Sequence, residues 1–210
     1  MEPKKVFSFF IFFFLFFSPF NVFALQPKDV LCKTIDEIFE TLNDSAYEAP
    51  DLNELKQEKL WETIEGAFDF TLMTKLALGK YRKTFSEKQL CELTDYFGKL
   101  LRKIYLEKIE SGSKDKIVYL DQDMVSEKKA RVHTKVLREA GDIPLNYSMR
   151  KTKNGWKIYD VKVEGVSLVK NYRKQFGDLL FNKTPDQLIK KIKKKVEEQD
   201  IENPKRRISD

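Results

Sequence analysis

The chain has 210 residues, with 39 lysines and arginines against 33 aspartates and glutamates, two cysteines and one histidine. That length holds one ordinary core, and two cysteines exclude a disulfide-dense scaffold. The mild basicity comes without an aromatic–basic platform, which argues against a nucleic-acid partner.

Lys4 and Lys5 precede an almost wholly apolar run, Val6 to Phe17, and Val22-Phe23-Ala24 offers a cleavage site. Residues 1–24 therefore read as a secretory signal peptide cut near Ala24. The alternative is an uncleaved anchor, but the run is short for a membrane span. No second apolar span follows, so residues 25–200 are expected to form one soluble domain, with a disordered tail over 201–210. Cys32 and Cys91 either pair in an oxidising compartment or stand as two buried thiols. No CxxC is present, which disfavours a redox role.

The first helix is expected from about Pro27 to Leu42, with Leu31, Ile35, Ile38 and Leu42 as its apolar stripe. A second runs from about Leu52 to Glu65, and Gly66 interrupts it. Asp69 is placed to cap a short helix through Leu78, with Gly79 just past its end. That helix is apolar nearly all round, as expected of a helix buried on more than one side. Ser86 and Gln89 form a capping box for the longest helix, and Ser111-Gly112-Ser113 ends it.

The period then shifts to two. Lys116 to Leu120 is a short strand. Lys129 to Arg138 alternates, with Val132, Thr134 and Val136 on one face and Arg131, His133 and Lys135 on the other. Ile143 to Lys151 carries Leu145, Tyr147 and Met149 on one side. Asn154-Gly155 is a strong hairpin signal and leads into Trp156–Val163. There Trp156, Ile158 and Asp160 point one way, and Lys157, Tyr159, Val161 and Val163 the other. Four consecutive strands with tight connections predict an antiparallel meander.

At Glu164-Gly165 the period changes again. Ser167 caps a helix carrying Val169, Tyr172, Phe176 and Leu180. Thr184-Pro185 opens the last helix, with Gln187 completing a capping box and Leu188, Ile189, Ile192 and Val196 as the stripe. Its lysines, Lys190, Lys191, Lys193, Lys194 and Lys195, either attract an anionic membrane surface or form a solvated face. Helices, then sheet, then helices predict an α+β fold: a four-stranded antiparallel sheet against about six helices.

Catalytic constellations are scarce. No HExxH, GxSxG, P-loop or GxGxxG occurs, and no cysteine–histidine cluster has metal-ligand spacing. His133 reads as a surface strand residue. Asp69 and Asp160 are the candidate acid or base residues, but each has a structural reading. Asp69 is a helix cap, and an inward Asp160 needs a partner, for which Arg82 or Arg173 would serve.

Two stretches carry a family resemblance. Trp156 to Phe176, WKIYDVKVEGVSLVKNYRKQF, and Phe68 to Lys83, FDFTLMTKLALGKYRK, resemble the signatures of MlaC-type proteins, also called the toluene-tolerance auxiliary family. Lys75 and Tyr81 depart from the commonest pattern, where a small residue and tryptophan are frequent. The resemblance implies a monomeric periplasmic phospholipid carrier that encloses acyl chains in an apolar pocket between sheet and helices. It would shuttle lipid between an outer-membrane lipoprotein–porin complex and an inner-membrane MCE-type ABC transporter, maintaining outer-membrane lipid asymmetry. It implies no cofactor, lipid being the cargo, no metal and no catalysis. By the same resemblance, lipid contacts fall on Met73, Leu76, Tyr105, Tyr147, Val163 and Val166, with Tyr81, Arg82, Tyr172 and Arg173 as scaffold and rim. The rival expectations are a binder of another apolar ligand such as a hopanoid, an enzyme on an NTF2-like cone fold, and a solid-core periplasmic adaptor.

Overall fold

The computed structural model describes residues 25–138 and 141–201. The expected signal peptide, and the expected tail beyond Ile201, lie outside the described residues. Among the described residues, six α-helices and one five-stranded antiparallel sheet make up an α+β domain. The helices are α1 (Pro27–Asn43), α2 (Asn53–Ala67), α3 (Phe70–Leu78), α4 (Glu87–Ser111), α5 (Leu168–Leu180) and α6 (Pro185–Ile201). The strands are β1 (Lys116–Ser126), β2 (Lys129–Leu137), β3 (Ile143–Thr152), β4 (Gly155–Val163) and β5 (Val166–Ser167), in sheet order β1-β2-β3-β4-β5.

The sheet corrects the sequence reading in three places. β1 runs six residues beyond Leu120, paired to β2 across two register shifts that let the edge strand bend. The expected four strands become five, because Val166–Ser167 pairs with the end of β4. Glu164 and Gly165, at φ of 50° and 81°, form the two-residue turn between them. Positive φ at both central residues is the hairpin geometry that matches strand twist. The Glu164 N–H donates to the Pro144 carbonyl at 3.0 Å, which holds the turn against β3.

The third correction is a bulge in β4. Met149 faces Ile158 and Ser148 faces Asp160, so Tyr159 is the extra residue. A one-residue insertion reverses every side chain after it. Val161 and Val163 therefore join Trp156 and Ile158 on the inner face, and Asp160 turns away. The strict alternation expected across Trp156–Val163 stops at Ile158.

The helix signals are obeyed closely. Ser86 Oγ accepts from Gln89 N–H at 3.2 Å, and Gln89 Oε1 accepts from the Ser86 N–H at 3.0 Å. Thr184 and Gln187 repeat the box for α6. Gly66 does not interrupt α2, which continues to Ala67; tertiary packing outweighs the weak helix propensity of one glycine.

The core has two main parts. One is helical: α3, α4, α5 and α6 bury Met73, Leu93, Phe97, Phe176 and Leu188. The Phe97 ring meets Tyr172 edge-on at 4.8 Å and Phe176 at 5.4 Å. The other lies on the inner face of the sheet, where Leu31 and Ile35 of α1 cover Ala130, Val132, Met149, Trp156 and Ile158. A smaller cluster of Leu42, Leu60 and Leu106 joins α1, α2 and α4.

Phe68 packs on both main parts. Next to it the Asp69 N–H donates to the Ile158 carbonyl at 2.8 Å, so the start of α3 is tied directly to β4. Among the described residues no helix is long and apolar enough to cross a membrane.

Candidate functional site

The six residues expected to contact lipid fall in three places. Met73 of α3 is fully buried in the helical core, with half-buried Leu76 and Tyr105 packed against the same cluster. Tyr147 lies on the inner face of the sheet, between Val132 and Val161. Val163 and Val166 are partners across the β4–β5 hairpin, 40% and 64% exposed.

The last three belong to one apolar strip. Along β3, Met149 is buried, and Tyr147 and Leu145 are half-buried. Along β4, Ile158 is buried, Val161 is half-buried and Val163 is exposed. Cover thus thins steadily from the sheet core toward the Glu164–Gly165 turn. α1 packs on β1 and β2, while α2, α3 and α5 reach β4; the end of the strip at the turn stays open, where Val163 and Val166 are exposed. Leu145 and Val161 complete the strip. Leu145 is legible from its alternation with Tyr147 and Met149, whereas Val161 is hidden by the bulge.

Burial acts on three tyrosines here. It pushes the Tyr147 hydroxyl up to about 12, against an opposing effect of the Thr134 hydroxyl. It raises Tyr105, and raises Tyr172 further, with Tyr105 close by adding to the effect. These phenols stay neutral at any physiological pH, so they do not act as acids or bases there. Tyr119, at the β1 end of the inner face, is raised by burial and by the neighbouring Asp36 carboxylate.

Both candidate catalytic carboxylates are committed to structure. Asp69 caps α3 by accepting from the Leu72 N–H at 2.9 Å, and its other oxygen pairs with Arg150 of β3. Asp160 does not meet Arg82 or Arg173, which corrects the expected partner. It is 9% exposed and accepts from the Ser167 hydroxyl at 2.6 Å and from the Val169 N–H at 3.0 Å. The bulge causes this, because it turns Asp160 toward the start of α5. A carboxylate there is favoured by the helix dipole and by the free N–H groups of the first turn.

Arg173 has a different task. Its Nε donates to the Leu76 carbonyl at 2.7 Å, and its side chain lies against Gly79, where a Cβ would meet the arginine Cδ at 3.4 Å. The guanidinium thereby supplies a donor and a positive charge at the C-terminal end of α3. Gly79 has φ of 53°, which also favours glycine. The segments LALGKYR and NYR are therefore in contact. Tyr172 is buried against Phe97, and Tyr81 packs on the helical core.

His133 sits on the outer face of the sheet. Its Nδ1 is 2.7 Å from Asn146 Oδ1 and its Nε2 is 3.1 Å from Asp123 Oδ2. Cys32 is half-buried on α1, Cys91 is exposed on α4, and neither is in a disulfide. An open groove on α1 is lined by Asp29, Cys32, Lys33, Asp36, Glu37 and Glu40, whose charge suits no apolar ligand.

Among solved structures, the fold resembles a phospholipid-binding protein from Ralstonia solanacearum, determined in complex with a phospholipid. The TM-score is 0.74 and the identity 22%, over 83% of this chain and 99% of that one. No curated protein matches the chain. The family described as MlaC protein matches residues 32–194, which take in α3, the whole sheet, α5 and most of α6. The chain belongs to the MlaC family.

Proposed function

We propose that this chain binds a phospholipid with its acyl chains between the inner face of the sheet and the helices, and carries it through the periplasm. The observation that carries the reading is the apolar strip of Tyr147, Leu145, Val161, Val163 and Val166. It leads from a closed core to solvent and contains no charged side chain. The related fold of a protein that holds a phospholipid supports it.

The physics of such a carrier is simple. Each buried CH₂ is worth about 0.8 kcal/mol relative to water, so two acyl chains leave a bilayer very slowly by themselves. Passage from one dry site to another is close to neutral, and a roomy apolar pocket needs little headgroup recognition. The donor and acceptor in this reading are an outer-membrane lipoprotein–porin complex and an inner-membrane MCE-type ABC transporter, with the protein working as a monomer. No chemical step is required of it.

A transfer assay tests the proposal. Donor vesicles carry a self-quenched fluorescent phospholipid, and acceptor vesicles carry none. The protein should raise the rate of dequenching. Val166→Glu and Tyr105→Arg should fold and fail to transfer. Full lipid loading of both variants would overturn the placement of the acyl chains, and no acceleration by the native chain would overturn the carrier reading.

A further inference from the structure

The outer face of α5 combines features that neither the core nor the apolar strip accounts for. Phe181, the residue after its last turn, is 77% exposed. Its neighbour Leu180 and the rest of the α5 stripe are buried, so the ring is excluded from the core rather than forming its margin. Eleven and seven residues before it, at helical spacing on the same face, stand exposed Lys170 and Lys174. Lys183 follows two residues after it. From α5 to Glu198 the chain has nine lysines and arginines against four aspartates and glutamates, in a protein whose whole net charge is +6. Of the lysines on α6, Lys194 pairs with Glu198, and Lys193 lies over the Tyr96 ring.

The position of α5 makes this arrangement directional. The helix starts beside the exposed Val163–Val166 pair and ends at Phe181. At 1.5 Å per residue its thirteen residues separate those two apolar points by about 20 Å. An isolated exposed phenylalanine is ordinary. One at the end of a lysine row, with an apolar opening at the other end, has the layout of a helix lying in a membrane interface.

We propose that α5 docks the protein on the surface of an anionic phospholipid bilayer. Phe181 enters the headgroup region, Lys170, Lys174 and Lys183 meet lipid phosphates, and the Val163–Val166 end of the strip is brought against the membrane. A bilayer fits better than an acidic protein. The charges are lysines, compact and independently placed, which suit scattered phosphates more than a fixed bidentate partner. The aromatic is single and peripheral, where a protein interface would centre on a packed apolar cluster. The proposal rests on the carrier reading only for the direction in which the lipid leaves.

The experiment is flotation of the folded chain with vesicles of phosphatidylglycerol and phosphatidylcholine, and with phosphatidylcholine alone. Binding should require the anionic lipid and weaken as salt is raised. Lys174→Glu should reduce the partition coefficient at least about 5-fold, the loss expected for removing one cation near such a surface. Phe181→Ser should reduce it about 10-fold, the scale of one partly inserted aromatic side chain. Neither change should alter the thermal melt or the amount of co-purified phospholipid, which separates failure of docking from failure of lipid carriage. A Phe181→Trp variant should show a blue-shifted emission on anionic vesicles. Equal binding to both vesicle types, no binding, or binding indifferent to Phe181→Ser would overturn the proposal. So would retention on immobilised polyglutamate by a chain that ignores vesicles, because it would assign the face to an acidic protein.

Discussion

Asp160 offers the sharpest test of how the sheet and helices are joined. Its two oxygens accept from the Ser167 hydroxyl and the Val169 N–H, at 2.6 and 3.0 Å, in a nearly closed environment. Hydrogen bonds to a charged group are worth about 1.5–3 kcal/mol each, and their loss leaves buried donors unmatched. Asp160→Ala should therefore cost about 3–5 kcal/mol, a large share of the roughly 5–15 kcal/mol that holds a domain together. At about 2–4 °C per kcal/mol, the melting temperature should fall by roughly 6–20 °C. Asp160→Asn keeps one acceptor oxygen and should cost only about 1–2 kcal/mol. Ser167 also accepts from the Lys170 N–H at 3.0 Å, so Ser167→Ala should cost about 1–2 kcal/mol as a lost cap. Urea unfolding of the singles and the double mutant gives the coupling, which should exceed about 0.5 kcal/mol. Additivity of the two changes, or an Asp160→Ala cost below about 1 kcal/mol, would refute the tie.

Further outcomes are expected elsewhere. Phe97→Ala removes a fully buried ring in edge contact with Tyr172 and Phe176, and should cost about 3–5 kcal/mol by denaturant titration. Glu164 sits at φ of 50°, a region that asparagine and glycine adopt more readily. Glu164→Asn should raise the melting temperature by a few degrees at most, about 0.5–1 kcal/mol, while Gly165→Ala should lower it. Tyr147 links stability to alkaline pH. Its folded pKa is about 12, above the ordinary value of about 10, so the folded protein holds the proton more tightly. Its contribution is complete below about pH 10 and is lost as pH rises toward about 12. Tyr147→Phe should flatten the fall of stability in that window, as read by denaturation at stepped pH values.

Helix signals in this chain are local, and so they were legible. A capping box such as Ser86–Gln89 is decided by four residues, and the apolar stripe of α6 is decided by its own spacing. The strand faces of β2 followed for the same reason, since Ala130, Val132, Thr134 and Val136 are all buried on one side. What escaped were features set by partners distant in sequence. The bulge at Tyr159 shows only in the pairing of β3 with β4, and it turns Asp160 toward Ser167 and Val169. Its consequence, Val161 on the inner face, reverses the alternation that the residues alone suggest. β5 is two residues long and pairs only with the end of β4, too short to carry a periodic signature. Arg173 looked available to Asp160, but the open carbonyl of Leu76 at the end of α3 takes it. The candidate site divided in the same way. Met73, Leu76 and Tyr105 were recognisable as apolar helix positions and do gather in one core. The strip from Tyr147 to Val166 depends on sheet register, and only the folded chain displays it as continuous.

The central claim is that the chain holds phospholipid, and native mass spectrometry of the protein after secretion into a periplasm reads this directly. The account predicts a bound mass, released by organic solvent and identified as phospholipid, that Val166→Glu and Tyr105→Arg lose while remaining folded. A chain that stays empty after incubation with phospholipid vesicles, with its native fold intact, would contradict it.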